Sequence, residues 1–404
     1  MLINHWIIYY LRALLSYVMQ LIRQITFLTA VFWLSACAPL VSILIPMEDV
    51  AKPTGPFQVG TQVIHMVDND RSAWYGQESS NPREIMVRVW YPAQPHEGDQ
   101  KAPYVYNEKL IGDMVSKGFG IPKYLMKNLS NINGNSWSEA QPVNEKFPVL
   151  IFSHGIGGLK TQNTTQMEEM ASHGYVVFSC DHAYDAGVSI FPGDRTIFGK
   201  TDIPDDLTKE EKRKMRRVQL DYRTADIQFL LDEMAQGNFL SVALNNSLDL
   251  EHIGVFGHSF GGGTSVVVAS VDERIDACFG LDAWFLPVPS TVLNSDLNKP
   301  FIHLGRFQWE EEDNYLKLDT LAANNSAWSL RLDVQGATHY DFTDFSQFSK
   351  FTKKYGSGEI AATRIRKITN SAVREFFDHY LKNGPALVVE TYEKLYPEVI
   401  IKRY

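Results

Sequence analysis

A glycine-flanked serine carries the clearest chemical signal in the chain. Gly257-His258-Ser259-Phe260-Gly261 follows the apolar segment Ile253–Phe256 and precedes a helix-like stretch that begins with two more glycines. In a G-x-S-x-G elbow the serine lies on a strained strand-to-helix turn, and the helix N-terminus favours developing negative charge. The alternative is an ordinary glycine-rich turn whose serine caps the helix. The flanking strand and helix favour Ser259 as a nucleophile.

A serine nucleophile needs a base and an orienting acid, which here would follow it in the order Ser, Asp, His. Asp282 comes directly after the apolar segment Ala277–Leu281, and His339 lies just past Leu330–Val334. Because open α/β sheets gather their sites at the carboxyl ends of strands, we expect both side chains near Ser259. His339 would take the serine proton, and Asp282 would fix the imidazole tautomer. We expect structural or surface roles for the competing residues His303, His379, Asp276 and Asp313.

Two backbone N–H groups are candidates for stabilising the oxyanion of an acyl-transfer reaction. One belongs to Phe260, the residue after the nucleophile. We assign the other to Ile156, because Ser153-His154-Gly155-Ile156-Gly157-Gly158 is close to an HGGG-type loop after a strand. We expect the histidine of this loop, His154, to brace the backbone rather than to take part in catalysis.

Predicted strands and helices, which must position these residues, alternate along the chain. Two leading segments, Phe57–Met66 and Ile85–Trp90, alternate apolar and polar residues as half-buried strands do. Later segments are short and mostly apolar, like strands covered on both faces. Strands that alternate with helices predict a mostly parallel central sheet flanked by helices on both faces, and the leading strands favour an α/β-hydrolase. The predicted inner strands are Val149–Phe152, Tyr175–Ser179, Ile253–Phe256, Ala277–Leu281, Phe301–Leu304 and Leu330–Val334, and the predicted helices are Thr161–Ser172, Lys209–Gln236, Gly263–Ser270 and Thr363–Lys382.

These motifs together resemble one enzyme family, the platelet-activating factor acetylhydrolases of the lipoprotein-associated phospholipase A2 type. The similar segments are Ser153–Gly157, Gly257–Gly262, Leu281-Asp282-Ala283-Trp284, Trp90-Tyr91-Pro92 and Asp181-His182. The resemblance covers roughly residues 57–385 and is weakest in a helical insert at about 105–145 and in the long helix after Asp206. It implies a calcium-independent serine esterase that removes short or oxidised sn-2 acyl groups from phospholipids and needs no cofactor.

Two other functions stay open at this point. One is an esterase acting on small non-lipid or polyester substrates, and the other is a catalytically silent binding lipoprotein on a hydrolase scaffold. The complete set of Ser259, Asp282 and His339 argues against a silent protein. Asp181, His182 and Asp185 cluster near a strand end. Without an HExxH or CxxC pattern, we expect a braced loop there and no metal site.

The composition excludes some classes of protein. The 404 residues carry 38 Lys+Arg against 47 Asp+Glu, a net charge of −9, which argues against nucleic-acid partners because these need a basic face. Three cysteines are too few for a disulfide scaffold. We expect Cys180 and Cys278, in or beside apolar strands, to be inert core thiols. No sequence signal indicates an oligomeric state.

The N-terminus differs from the rest of the chain. Residues 1–36 contain no Asp or Glu, and Leu34-Ser35-Ala36-Cys37 resembles the lipobox of bacterial lipoproteins, in which the cysteine becomes the lipidated first residue. We expect a lipoprotein signal peptide over 1–36 with translation starting at Met19, a tether over 37–56 and one hydrolase domain over 57–404. Ala38 favours the outer membrane of a Gram-negative bacterium. The alternative is an uncleaved membrane helix, since Gln24–Pro46 carries no charge.

Overall fold

The computed structural model describes residues 18–19, 23–24, 47–74, 81–204, 206–311, 313–387 and 389–404. Cys37, most of the predicted leader and the first part of the predicted tether lie outside the described residues. Residues 47–56 run along the domain: the N–H of Glu48 donates to the carbonyl of Phe348 at 2.9 Å, and that of Val50 to Asn133 at 3.0 Å. Within the described ranges, no helix combines the length and apolar character needed to cross a bilayer.

One large sheet forms the centre of the domain. In the part of the chain that the structure describes, twelve strands share this sheet and two more form a separate hairpin. The strands are β1 (Gln58–Ser72), β2 (Pro82–Gln94), β3 (Lys101–Pro103), β4 (Asn133–Ser138), β5 (Gln141–Pro142), β6 (Phe147–Ser153), β7 (Val176–His182), β8 (Val188–Phe191), β9 (Arg195–Phe198), β10 (Leu248–His258), β11 (Ala277–Leu281), β12 (Phe301–Arg306), β13 (Ser329–Val334) and β14 (Val399–Arg403).

The strand order places the predicted site strands side by side. Along the sheet the order is β14-β13-β12-β11-β10-β6-β7-β2-β1-β4-β3, with β5 paired to β2, and β8 and β9 form the hairpin. Every neighbouring pair from β13 to β7 is parallel, whereas β2 runs antiparallel to β7 and β1, and β14 runs antiparallel to β13. The carboxyl ends of β6, β10, β11, β12 and β13 therefore meet at one edge.

Helices cover both faces of this sheet. The helices are α1 (Glu108–Phe119), α2 (Thr164–Ser172), α3 (Lys209–Gln236), α4 (Val242–Asn246), α5 (Phe260–Val271), α6 (Ser290–Leu293), α7 (Asp313–Asn324), α8 (Ala362–Lys382) and α9 (Val389–Leu395). Helices α3 and α5 pack on one face, and α2 and α8 on the other. Successive strand residues point to opposite faces, so in β6 Val149 and Ile151 enter the first core, and Leu150 and Phe152 the second.

Local sequence fixes both ends of the long helix α3, which contributes a residue to the site. Thr208 and Glu211 form a capping box, in which the Thr208 hydroxyl accepts the N–H of Glu211 at 3.3 Å and the Glu211 carboxylate accepts the N–H of Thr208 at 2.8 Å. Gly237 ends the helix with a left-handed φ of 72°. The predicted bounds of this helix, Lys209–Gln236, are those of the structure.

The segment predicted as a helical insert at about 105–145 is only partly helical. It contains α1 and a 3₁₀ helix over Lys123–Asn131, but continues into strands β4 and β5. Strand β4 reads Asn-Gly-Asn-Ser-Trp-Ser and lacks apolar alternation. A buried carboxylate holds it instead: Glu168 accepts the N–H groups of Asn135 and Ser136 at 2.8 and 2.9 Å. Further 3₁₀ helices span Pro192–Asp194, His339–Phe342, Asp344–Gln347 and Lys350–Tyr355.

Candidate active site

Ser259 lies where β10 ends and α5 begins. Its backbone has φ 56° and ψ −120°, a conformation that costs a non-glycine residue on the order of 1–3 kcal/mol. Neighbouring backbone holds it there: the N–H of Ser259 donates to the carbonyl of Leu281 at 2.9 Å, and its carbonyl accepts the N–H of Trp284 at 2.8 Å. Gly261 lets the start of α5 lie close to the end of β6, because a Cβ there would lie 1.9 Å from the carbonyl oxygen of Ser153. The geometry is that of a nucleophile elbow.

The structure brings Asp282 and His339 together. Nδ1 of His339 lies 2.5 Å from Oδ2 of Asp282. The Asp282 side chain is fully buried, whereas that of His339 is 21% exposed. Because a carboxylate only accepts, His339 donates its Nδ1–H and keeps Nε2 available to receive a proton. This is the pairing that the predicted roles of base and orienting acid require.

The second carboxylate oxygen of Asp282 has its own donors. Oδ1 accepts the backbone N–H of Arg306 at 2.9 Å and the indole N–H of Trp309 at 3.2 Å. Burial alone would raise the pKa of Asp282, but the hydrogen bond from His339 and the charge of Arg306 lower the pKa to about 2. Asp282 is therefore a carboxylate at neutral pH, and its negative charge faces the imidazole of His339.

The two predicted oxyanion donors lie on either side of the elbow. Phe260 is the first residue of α5, so its N–H has no acceptor within the helix. Ile156 lies in the loop after β6, and that loop touches the elbow, since a Cβ on Gly155 would lie 3.4 Å from the Cβ of Ser259. Among the described residues, none accepts the N–H of Ile156. Both N–H groups are thus available to a ligand beside Ser259.

Ser259 and His339 line the same cavity. Among the hydrogen bonds of the described residues, none joins Oγ of Ser259 to the His339 imidazole, whose Nδ1 is engaged by Asp282. Such contacts are often long in a free enzyme and tighten when substrate binds. Ser259, His339 and Ile156 therefore line one cavity, while Asp282 lies behind His339 and Phe260 directly follows Ser259.

The cavity beside Ser259 has a volume of about 420 Å³ and a mostly apolar lining. Mostly apolar clefts of this size with a few polar groups are typical of small-molecule sites. The loop after β6 forms one wall of the cavity. The other walls come from two segments, α1 with the following 3₁₀ helix and the 3₁₀ helices that begin at His339. Phe119 and Phe345 join these walls, with stacked rings 4.4 Å apart. Other apolar lining residues are Met114, Leu125, Met126, Leu129, Tyr340, Phe348 and Phe351.

Comparison with known proteins gives the family. The family model described as "Platelet-activating factor acetylhydrolase, isoform II" matches residues 44–383. The chain belongs to this family. It is 25% identical over 320 residues to platelet-activating factor acetylhydrolase of Cavia porcellus, covering 74% of this chain and 69% of the relative. It is 30% identical over 275 residues to that of Gallus gallus, covering 59% of this chain and 63%, less than two thirds, of the relative.

A fungal relative and a solved structure extend the comparison. The chain is 23% identical over 381 residues to a "Probable 1-alkyl-2-acetylglycerophosphocholine esterase" of Arthroderma benhamiae, covering 86% of this chain and 92% of the relative. Its fold is similar to a ferulic acid esterase from Streptomyces cinnamoneus, with a TM-score of 0.73 and 27% identity over 88% of this chain and 99% of that one. The predicted family, the α/β-hydrolase fold and the ester-hydrolase class are therefore confirmed.

In this acetylhydrolase-family protein, a buried arginine braces the loop that carries Ile156. Arg223 of α3 donates to the carboxylate of Asp185 and to the carbonyl of His154, and its Nη2 donates to the carbonyl of Gly155 at 3.3 Å. The Gly155 carbonyl and the Ile156 N–H belong to one peptide unit, so these contacts set the direction of the donor. A lone arginine within a charged helical pattern gave no sequence signal for this role.

The side chains of Asp181, His182 and Asp185 are bound by other protein groups. Each of these side chains is fully buried and has a protein partner. The partners are Lys160 for Asp181 at 2.5 Å, Asp226 for His182 at 2.9 Å, and Arg223 for Asp185. Over the described ranges, no group of three or more His, Cys, Asp and Glu side chains is arranged to hold a metal ion.

His154 contacts the same loop. Its Nδ1 lies 2.6 Å from the carbonyl oxygen of Gly155, and its Nε2 accepts the N–H of His182 at 3.3 Å. Burial, together with the nearby charge of Arg223, lowers the pKa of His154 and keeps the ring neutral. These contacts fit the predicted bracing role.

Besides Arg223, sequence reasoning missed four residues of the site. Arg306 and Trp309 bind Asp282, and their only sequence signal is their position just after an inner strand. Gln162 and His258 connect the Ile156 loop to His339. His258 occupies a variable position of the elbow motif, and Gln162 belongs to no motif.

Cys180 and Cys278, predicted as core thiols, are buried and unpaired, and burial raises the pKa of both.

Proposed function

We propose that the protein hydrolyses carboxylic esters through an acyl-enzyme formed on Ser259. The observation that carries the proposal is the Asp282–His339 pair beside the cavity that Ser259 lines. The Ile156 and Phe260 N–H groups, available on both sides of the serine, give the place for an oxyanion. Membership of an acetylhydrolase family is consistent with this chemistry.

The proposed reaction has two halves. Oγ of Ser259 attacks the ester carbonyl carbon while Nε2 of His339 takes the serine proton, and the carbonyl oxygen becomes an oxyanion held by Ile156 and Phe260. The intermediate collapses, the ester C–O bond breaks, and the alcohol leaves with the proton from His339. Water then attacks the acyl-enzyme, His339 again receives the proton, and the carboxylic acid departs as Ser259 regains its hydrogen. Asp282 remains ionised throughout.

The substrates we propose are phospholipids with short or oxidised sn-2 acyl groups. Three observations support them: the family model, the relatives named as acetylhydrolases, and the apolar cavity of about 420 Å³ beside Ser259. A second candidate is an aromatic or other non-lipid ester. The structural likeness to a ferulic acid esterase supports that candidate, as do the rings of Phe119, Tyr340 and Phe345 in the cavity wall.

Two comparisons test these proposals. Ser259→Ala should lower the rate of 4-nitrophenyl acetate hydrolysis by about 10³-fold or more, and a rate equal to that of the parent would overturn the catalytic assignment. For the substrate, kcat/KM should be measured on a phosphatidylcholine with an sn-2 acetyl group, on 4-nitrophenyl acetate and on methyl ferulate. A clear preference for the phospholipid supports the acetylhydrolase function. A preference for methyl ferulate favours the second candidate.

We propose further that the protein is exported and that Cys37 is the site of lipid attachment. The support is the Leu34-Ser35-Ala36-Cys37 motif and the absence of acidic residues before it. Mass spectrometry of the mature protein tests this proposal. A diacylglyceryl-modified N-terminal Cys37 is the expected result, and a tryptic peptide that spans Ala36 and Cys37 unmodified would contradict it.

A further inference from the structure

We propose that Gln162 and His258 are positioning residues that keep the oxyanion loop and the general base in register. The inference rests on the proposed hydrolysis by Ser259 and adds two residues to it. Both residues line the cavity, and the polar atoms of both side chains are engaged by protein groups. Their contacts run between the two halves of the catalytic apparatus.

Three hydrogen bonds form a continuous relay. The N–H of Gly155 donates to Oε1 of Gln162 at 3.1 Å. Nε2 of Gln162 lies 2.8 Å from Nδ1 of His258, and Nε2 of His258 lies 2.9 Å from the carbonyl oxygen of His339. One end of the relay is thus the residue before Ile156, and the other is the backbone of the base.

The groups at the two ends of the relay determine which atom donates in each hydrogen bond. The Gly155 N–H can only donate, so the oxygen of Gln162 must face it and the amide NH2 must face His258. Nδ1 of His258 therefore accepts, and the ring carries its proton on Nε2, where the His339 carbonyl can only accept. Burial and the neighbouring His339 lower the pKa of His258 to about 3, which keeps the ring neutral, and its hydrogen-bond partners then select this tautomer.

The relay acts where small displacements matter. Misplacing a reacting group by about 1 Å can lower a rate about 10²-fold. His258 directly precedes the nucleophile Ser259, and its side chain binds the backbone of the base His339. Gln162 then ties His258 to the peptide that leads into the Ile156 N–H. The serine, the base and the oxyanion donor are in this way joined through side chains outside the triad.

The test uses single variants, a double variant and a matched control. Gln162→Met and His258→Phe each break the relay, and the double variant breaks it twice. Asn325→Leu is the control, because Asn325 is also a side-chain amide, whose NH2 group has two hydrogen-bond partners, the carbonyl of Lys299 at 2.9 Å and Oγ of Ser329 at 2.8 Å, but it lies beside the amino ends of β12 and β13 and does not line the cavity. The fraction of competent sites is counted by stoichiometric release of nitrophenol from diethyl 4-nitrophenyl phosphate.

We expect kcat per titrated site on 4-nitrophenyl acetate to fall about 10- to 100-fold in each single variant, with KM changed less than about threefold. Because both residues act in one relay, kcat of the double variant should be little lower than kcat of the more impaired single variant. The Asn325→Leu control should match the parent per titrated site. Multiplicative losses in the double variant, or an unchanged kcat per titrated site in Gln162→Met, would overturn the relay.

Gln162→Glu adds a readout that loss of packing would not produce. A carboxylate still accepts the Gly155 N–H but offers no donor to Nδ1 of His258. If His258 stays neutral, its single N–H can face either the new carboxylate or the His339 carbonyl but not both, so one bond of the relay is lost. If His258 protonates, a positive charge lies beside the imidazolium that His339 must become, with ring centroids 4.5 Å apart. The relay therefore predicts impaired kcat for this isosteric change. If Ser259→Ala is inactive and Gln162→Glu is unimpaired, the relay fails while the proposed hydrolysis stands; an active Ser259→Ala removes both.

Discussion

Asp282→Asn exchanges one carboxylate oxygen for an NH2 group and leaves the shape of the side chain unchanged. Oδ1 accepts N–H donors from Arg306 and Trp309, so the amide oxygen must stay at that position. The NH2 group then faces Nδ1 of His339, whose distance to Oδ2 is 2.5 Å in the parent. Two donors cannot share that contact. His339 is forced to carry its proton on Nε2, where it cannot accept the proton of Ser259.

We expect kcat on 4-nitrophenyl acetate to fall about 10⁴-fold, the size of this effect where the same exchange imposes the wrong tautomer on a Ser-His-Asp site. That loss corresponds to about 5 kcal/mol in the activation barrier. Asp276→Asn is the matched control, since its carboxylate binds the N–H of Ile253 at 2.8 Å at the opposite end of β11 and should leave kcat within about twofold. A loss below about tenfold in Asp282→Asn, with Ser259→Ala inactive, would refute the tautomer argument.

Three other changes probe the surroundings of the site. Arg223→Met leaves Asp185 buried without its partner, so the free energy of unfolding in urea should fall by about 3–5 kcal/mol; an unchanged midpoint would contradict this. Phe119→Ala removes the ring stacked on Phe345 and should raise the kcat/KM ratio of 4-nitrophenyl butyrate over acetate, whereas a constant ratio would exclude Phe119 from acyl recognition. Burial raises the pKa of Asp344 to about 7, so the folded state binds this proton more tightly than the unfolded chain and stability falls as pH rises from about 4 to 7. Asp344→Asn should flatten this dependence in urea midpoints at pH 5 and 8, and an unaltered slope would refute it.

The inner strands could be predicted because few alternatives fit their residues. Ala277–Leu281 has its predicted bounds, since a short apolar run that ends at an aspartate suits a strand buried on both faces. The leading strands are longer than predicted. β1 continues to Ser72, although residues 68–71 are polar: Asp68 pairs with Arg83 and, after an irregularity in the register, Ser72 pairs with Pro82. Hydrophobic pattern therefore located the strands, and backbone pairing set their length.

The covering segments could not be predicted in the same way. Residues 339–355 form three short 3₁₀ helices, whose repeat is too short to leave a clear hydrophobic period. Residues such as Arg223 and Gln162 reach the site from segments distant in the chain, and their role depends on partners that only the folded backbone supplies. His303, predicted to be structural, accepts the N–H of Ala283 at 3.1 Å and so supports the turn after Asp282.

The triad is held by two different kinds of contact. Ser259 and Asp282 are fixed by backbone at the ends of neighbouring strands, since the N–H of Ser259 donates to Leu281 at 2.9 Å and that of Asp282 to Leu304 at 2.7 Å. His339 lies beyond the last parallel strand, and in the described residues its contacts to the elbow region are side-chain hydrogen bonds, one to Asp282 and one from His258 to its carbonyl. Substitutions that keep the sheet intact can therefore still displace the base. For this reason conservative changes at Asp282 and in the Gln162–His258 relay should reduce kcat far more than they reduce stability.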